Sequence, residues 1–203
     1  MPPIPVLASV PAARWELPTK GLSVFYGLPE ASRLFHYFLP HAILQGRQVL
    51  CLDGANRFDP LLLARFARER QRDPSEFDRR IRIARAFTCF QLTELLVRLP
   101  RLLQTFPAQI AIVTALPDLY FDEDVREREA ICSFQRALQS LQAAKRLLLP
   151  IAVFTDAGSS SSPRRKLFQH LIAQADQVLR FSEKENASIV LSSEKPVPAI
   201  LKA

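Results

Sequence analysis

Gln109-Ile110-Ala111-Ile112-Val113-Thr114 is the stretch that decides the fold: an unbroken apolar run closed by a threonine. A run without polar alternation marks a strand buried on both faces, the kind found in the middle of a parallel sheet. Further strands read on either side, at Leu22–Tyr26, Gln48–Asp53 and Ile151–Thr155, and at Ile81–Ala86, where apolar and polar residues alternate. Between them lie helical patterns over residues 31–45, 60–72, 90–104, 124–147 and 164–172. Strand alternating with helix predicts an α/β fold of three layers, a mostly parallel central sheet with helices on both faces. Two late strands, Gln177–Phe181 and Ala187–Leu191, are joined too closely for a crossover. They predict an antiparallel hairpin at the sheet edge.

Local punctuation refines this outline. Gly27-Leu28-Pro29 ends the first strand. Pro40 is expected to kink the 31–45 helix by removing a backbone donor, Gly46 suits its C-terminal cap, and Pro100 interrupts the 90–104 helix. In residues 60–72, Leu62, Leu63, Phe66 and Ala67 share one helix face while Arg65, Arg68 and Arg72 take another. Residues 1–20 carry five prolines and no helical period, so they read as an extended arm preceding one domain over 21–203. In a sheet of this kind ligands bind beyond the carboxyl ends of the strands. The loops after Tyr26, Asp53, Thr114 and Thr155 are therefore where chemistry is sought.

The 203 residues suffice for one sizeable core, and 48% hydrophobic with 23% charged is ordinary for a globular chain. Nothing at the N-terminus has the basic start and apolar stretch of a secretory signal, and no apolar run is long enough to span a bilayer. A cytoplasmic protein without a membrane role is expected. Cys51, Cys89 and Cys132 are far apart among apolar neighbours, which predicts buried free thiols. A net charge of +7 and a pI near 9.8 are compatible with a polyanionic partner.

Ile83-Ala84-Arg85-Ala86-Phe87-Thr88, with Gln91-Leu92-Thr93-Glu94-Leu95-Leu96 after it, resembles a strand end and glutamine-bearing helix start of the RecA/RadA recombinase superfamily. The archaeal and eukaryotic branch is the nearer, and the patchy resemblance runs from about Leu22 to Leu201. It implies a RecA-like P-loop NTPase fold, and it allows the nucleotide site to be checked residue by residue. A P-loop needs G-x-x-x-x-G-K-[ST]: small residues let backbone N–H groups wrap phosphates, the lysine reaches the outer phosphates and the hydroxyl binds magnesium. The corresponding stretch is Gly27-Leu28-Pro29-Glu30-Ala31-Ser32-Arg33-Leu34. Gly27 survives, Ser32 replaces the second glycine, Arg33 the lysine and Leu34 the metal-binding hydroxyl. Pro29 has no N–H to give, and Glu30 puts negative charge where phosphate should lie.

By the same resemblance Ala55 stands in place of a water-activating glutamate, and Thr114 in place of an aspartate that supports magnesium. Asp118 reads as too far along the loop to substitute, and Asp156 brings the wrong charge to a phosphate-sensing position. No catalytic residue, metal site or cofactor is expected on this reading.

For nucleic acid, the segment from Arg65 to Arg85 holds eight arginines interleaved with Glu69, Asp73, Glu76 and Asp78. It is either a phosphate track or a solvated helix face laced with ion pairs. Arg164, Arg165 and Lys166 follow a serine loop that corresponds, by resemblance, to a shortened DNA-binding loop. The other such loop, Phe121–Glu129, is acidic here, and Asp122 reads as the N-cap of the long helix rather than a metal ligand. His36, His41 and His170 share no helix face, Ser159–Ser162 read as a loop, and Trp15 is either self-packed or a partner anchor.

The function expected is that of an inactive recombinase paralogue, an accessory or scaffold module in DNA repair or recombination. It would contact protein partners, with weak nonspecific DNA binding, and would not assemble filaments by itself. Two rivals stand beside it. One is a residual nucleotide- or phosphate-binding ATPase, with ATP and magnesium, using Arg33 and the helix N-terminus at Ala31. The other is an adaptor unrelated to DNA.

Overall fold

The computed structural model describes residues 16–159, 162–183 and 189–195. Seven strands form one sheet: β1 Leu22–Tyr26, β2 Val49–Asp53, β3 Ile81–Arg85, β4 Ile110–Thr114, β5 Ile151–Phe154, β6 Gln177–Glu183 and β7 Ile189–Lys195. Their order is β3-β2-β4-β5-β1-β6-β7. All neighbours are parallel except β6 and β7, which pair antiparallel with a register shift between Val178 and Leu179. The decisive stretch, β4, lies inside the sheet with all five residues buried.

Alternate residues of each inner strand feed two separate cores, as the period of two requires. Leu50 and Leu52 of β2, with Ala111 and Val113 of β4, face α4 Cys89–Val97, α5 Leu99–Thr105, α6 Glu127–Arg146 and α7 Lys166–Gln174. Val49 and Cys51, with Ile110 and Ile112, face α1 Leu39–Leu44, α2 Pro60–Glu69 and α3 Pro74–Asp78. Three layers result. The second core is aromatic: Phe25 stacks on Phe154 with ring centroids 4.4 Å apart, and Phe38 meets both edge-on. Among the described residues no helix is long and apolar enough to cross a membrane.

The expected 31–45 helix is two pieces, a 3-10 segment Ala31–Tyr37 and α1. Pro40 cannot donate to the carbonyl four residues back, so the chain breaks at Phe38 and Pro40 takes the first turn of α1, where no donor is needed. Gly46 closes α1 at φ 81°, its N–H on Ile43 O and that of Arg47 on Ala42 O, a Schellman arrangement. Pro100 likewise separates α4 from α5 at Arg98.

The 60–72 helix ends sooner, at Glu69; Gln71 turns left-handed and the short α3 follows, which its length hides from any periodicity. Only Ile81 of β3 is buried, because β3 is an edge strand. Asp122 is not the cap of α6. Its Oδ1 accepts from the Asp124 amide in a local turn, and the helix starts at Glu127 after Arg126. Cys51 and Cys89 are buried, but Cys132 is exposed, since the inward stripe of α6 runs through Ala130, Phe134, Ala137 and Leu141. Of the proline-rich arm, residues 1–15 with Trp15 lie outside the described part, as do Ser160 and Ser161. Leu17 is buried in the second core, and Arg47 donates to Leu17 O and Pro18 O.

Candidate functional site

The carboxyl ends of β1, β2, β4 and β5 lie side by side, and the connections from β1 and β5 leave on opposite faces. That divergence opens the crevice in which sheets of this type hold ligands. The six positions that the resemblance assigns to a degenerate nucleotide site, Gly27, Ser32, Arg33, Leu34, Ala55 and Thr114, fall at or beside this end.

The turn after β1 is tight. Gly27 has φ 120°, and a Cβ there would lie 2.4 Å from Phe181 O, so only glycine fits. Glu30 follows at φ 59° and starts the 3-10 segment. Its amides are occupied in succession: Ala31 N–H donates to Leu28 O at 3.1 Å and Arg33 N–H to Glu30 O at 2.9 Å. Between them Ser32 is held twice by Asp156, its N–H on Oδ1 at 2.9 Å and its hydroxyl on Oδ2 at 2.8 Å. The cation is occupied too. Arg33 donates to Glu30 Oε2 at 3.0 Å, and Arg57 lies 3.7 Å from Glu30 Oε1. Leu34 is buried in the second core and has no hydroxyl to offer a metal.

The neighbouring strand end is closed in the same way. Thr114 Oγ1 accepts from Ala55 N–H and donates to Asp53 Oδ1, both at 3.0 Å. Asp53, fully buried, also accepts from the amides of Arg57 and Phe58 and so folds the loop after β2 onto the sheet. Gly54 is needed here, for a Cβ would meet Thr114 O at 2.7 Å.

Two groups at this end were not legible as site residues. Asp118, in a 3-10 turn over Asp118–Phe121, comes back to the sheet at β5 instead of β4. It accepts from Thr155 Oγ1 at 2.6 Å and from the Asp156 amide at 3.0 Å. Burial, and then the charge of Asp156, push its carboxyl up to about 6. His36 is buried between the two loops. Asp59 N–H donates to Nε2 at 2.9 Å, so Nδ1 carries the proton and donates to Arg33 O. Desolvation lowers its pKa and holds it neutral. Nothing local in the sequence announces either role, because every partner is supplied by another segment or another turn.

The cationic candidates divide. Arg65 pairs with Glu69 at 3.1 Å and Arg72 with Glu76 at 3.9 Å, each along the exposed side of its segment; Arg68 is exposed. Arg165 and Lys166 are exposed as well. Arg164 is internal in its bonding, donating to the carbonyls of Tyr120, Asp122 and Val125. A phosphate contact from Arg164 would have to break those three bonds. Among the described residues no group of three histidine, cysteine or acidic side chains is placed to hold a metal ion. No protein-family model matches the chain, and no curated protein matches it either.

Proposed function

We propose that this chain is a RecA-like domain that has lost ATPase activity, an accessory or scaffold module in DNA repair or recombination that works through protein contacts. The observation that carries the loss of catalysis is the occupation of its phosphate-binding donors by its own carboxylates. Asp156 takes the amide and hydroxyl of Ser32, and Glu30 takes the guanidinium of Arg33. A triphosphate entering there would have to displace both and lie beside Asp118 as well. Two like charges about 4 Å apart near a protein surface repel by about 4 kcal/mol. The lysine, the metal-binding hydroxyl and the water-activating glutamate are also replaced by Arg33, Leu34 and Ala55. The link to repair comes from the recombinase resemblance, by analogy of fold.

Weak, nonspecific DNA contact falls to Arg65, Arg68, Arg72, Arg165 and Lys166, all at the surface, while Arg164 has a structural task. Such a module would act in the cytoplasm with a protein partner. Titration with ATP and magnesium in a calorimeter tests the proposal: no saturable heat and no phosphate release are expected, and saturable binding with turnover overturns it. Fluorescence anisotropy with labelled DNA over a salt series tests the rest. Affinity that falls steeply with salt supports a phosphate contact, and none at low ionic strength removes DNA from the reading.

A further inference from the structure

Beside the crevice, and distinct from the amides that Asp156 occupies, a cavity of about 140 Å³ opens between the 3-10 segment, the start of α2 and the β6–β7 hairpin. Leu28, Leu34, Tyr37, Leu62 and Ile189 supply apolar wall. Its lining also holds Arg33 and Arg57, which both pair with the Glu30 carboxylate. We propose that this cavity binds an apolar monocarboxylate, one ring or one branched chain in size, whose carboxylate takes the place Glu30 now holds.

Size sets the body of the ligand. A cavity of about 150 Å³ takes a benzene ring, whereas sites for larger ligands run to about 300 Å³ and beyond. Charge sets the head group. The side chain of Arg33 is only 13% exposed, and Glu30 engages one NH group of a guanidinium that carries five N–H donors in a planar fork suited to carboxylate. Arg57 lies 3.7 Å from the other Glu30 oxygen. The pair already holds a carboxylate, so its geometry for that group is set.

Glu30 is the member that yields. It is half exposed and sits on a left-handed backbone that a non-glycine residue adopts at a cost. Of the other acids, Asp59 is spent on the amides of Leu61 and Leu62. Glu183 lies in the lining and repels a second negative charge, which favours a monoanion over phosphate. The inference shares Arg33 and Glu30 with the site read above but leaves the Asp156 contacts to Ser32 untouched, and its test does not require the ATPase to have been lost.

Fluorine NMR on the full chain tests it, with fluorobenzoate as the probe. Fluorobenzoate should saturate, and fluorobenzyl alcohol should bind about 10-fold or more weakly, as expected for loss of a charge-assisted hydrogen bond. Arg57→Ala should weaken fluorobenzoate by about the same factor, and Glu30→Gln should strengthen it by removing the internal competitor. Both positions are largely exposed, so a thermal melt serves to confirm that the variants fold. Inorganic phosphate should fail to displace the probe. A short peptide ending in leucine, compared with its C-terminal amide, distinguishes the sources. If only the free acid competes, the carboxylate comes from a protein C-terminus; if neither competes, it comes from a small molecule, and both results keep the site. Absence of saturation, equal binding of the alcohol, preference for fluorobenzylamine, displacement by phosphate, or indifference to Arg57→Ala overturns the proposal.

Discussion

Asp118→Asn should make the protein more stable at neutral pH and less stable in acid. The Asp118 carboxyl is pushed up to about 6 from an ordinary 3.8, by burial first and by Asp156 second. Between those values the folded chain binds a proton that the unfolded chain releases, so this group's contribution to stability falls as pH rises through the window. Above it, a shift of about two units corresponds to roughly 3 kcal/mol spent on keeping the carboxylate charged.

Asparagine removes that cost, and its oxygen can keep the Asp156 amide. Its NH2 group then faces Thr155 Oγ1, which already accepts from Ala157 N–H and must take a second donor while its own proton loses its acceptor. One lost hydrogen bond costs about 1–2 kcal/mol. The net expectation is a gain of about 1–2 kcal/mol at pH 7.5 and a loss of similar size at pH 4, where the native carboxyl is protonated and costs nothing. Urea unfolding of both proteins from pH 4 to 8 gives the difference curve directly, with every other titrating group cancelling to first order. A flat difference, or a variant less stable at pH 7.5, would refute the assignment of Asp118 as a costly buried charge.

Two further substitutions probe the same end of the sheet. Asp156→Ala strands the amide and hydroxyl of Ser32, which should cost about 2–3 kcal/mol in urea unfolding; it should also bring the Asp118 titration down, because one charge that raises it is gone. Arg164→Ala leaves the carbonyls of Tyr120, Asp122 and Val125 without their donor. Hydrogen exchange over residues 118–126 should then speed up while DNA anisotropy stays as it was; the opposite pattern would make Arg164 a surface phosphate contact.

Most of the sheet was legible because its strands are encoded locally. Each inner run is continuous and apolar, and the prolines and glycines between them act within a residue or two of where they stand. Pro40 and Gly46 show this: one position breaks a helix and the other caps it, and both follow from backbone chemistry alone. The α6 start failed because Asp122 has a nearer use, in its own turn, than the one its residue type suggests. Cys132 is exposed despite its apolar neighbours in sequence, because the period of 3.6 places it off the inward stripe of α6. Asp118 reads in the sequence only as a residue too far along its loop to replace the β4 aspartate, and its contact with β5 is not legible there. Its importance arises from Thr155 and Asp156, more than thirty residues later, and only the sheet order makes them neighbours.

A phosphate-binding loop that waits for ligand keeps donors unpaired and relies on water until the ligand arrives. The loops here do the reverse. Ser32 is met by Asp156, Arg33 by Glu30, Ala55 by Thr114, and the amides of Arg57 and Phe58 by Asp53. Each contact ties a loop donor into the fold and leaves it unavailable to an incoming anion. On the reading proposed above, changing one position would not open the site to a polyanion: Arg33→Lys would still face Glu30, and Ser32→Gly would still leave its amide on Asp156. Only removal of Glu30 and Asp156 together frees both donors. The cavity proposed above for a monocarboxylate is different in kind, since there the half-exposed Glu30 is the one competitor to be displaced and the Asp156 contacts to Ser32 stay in place.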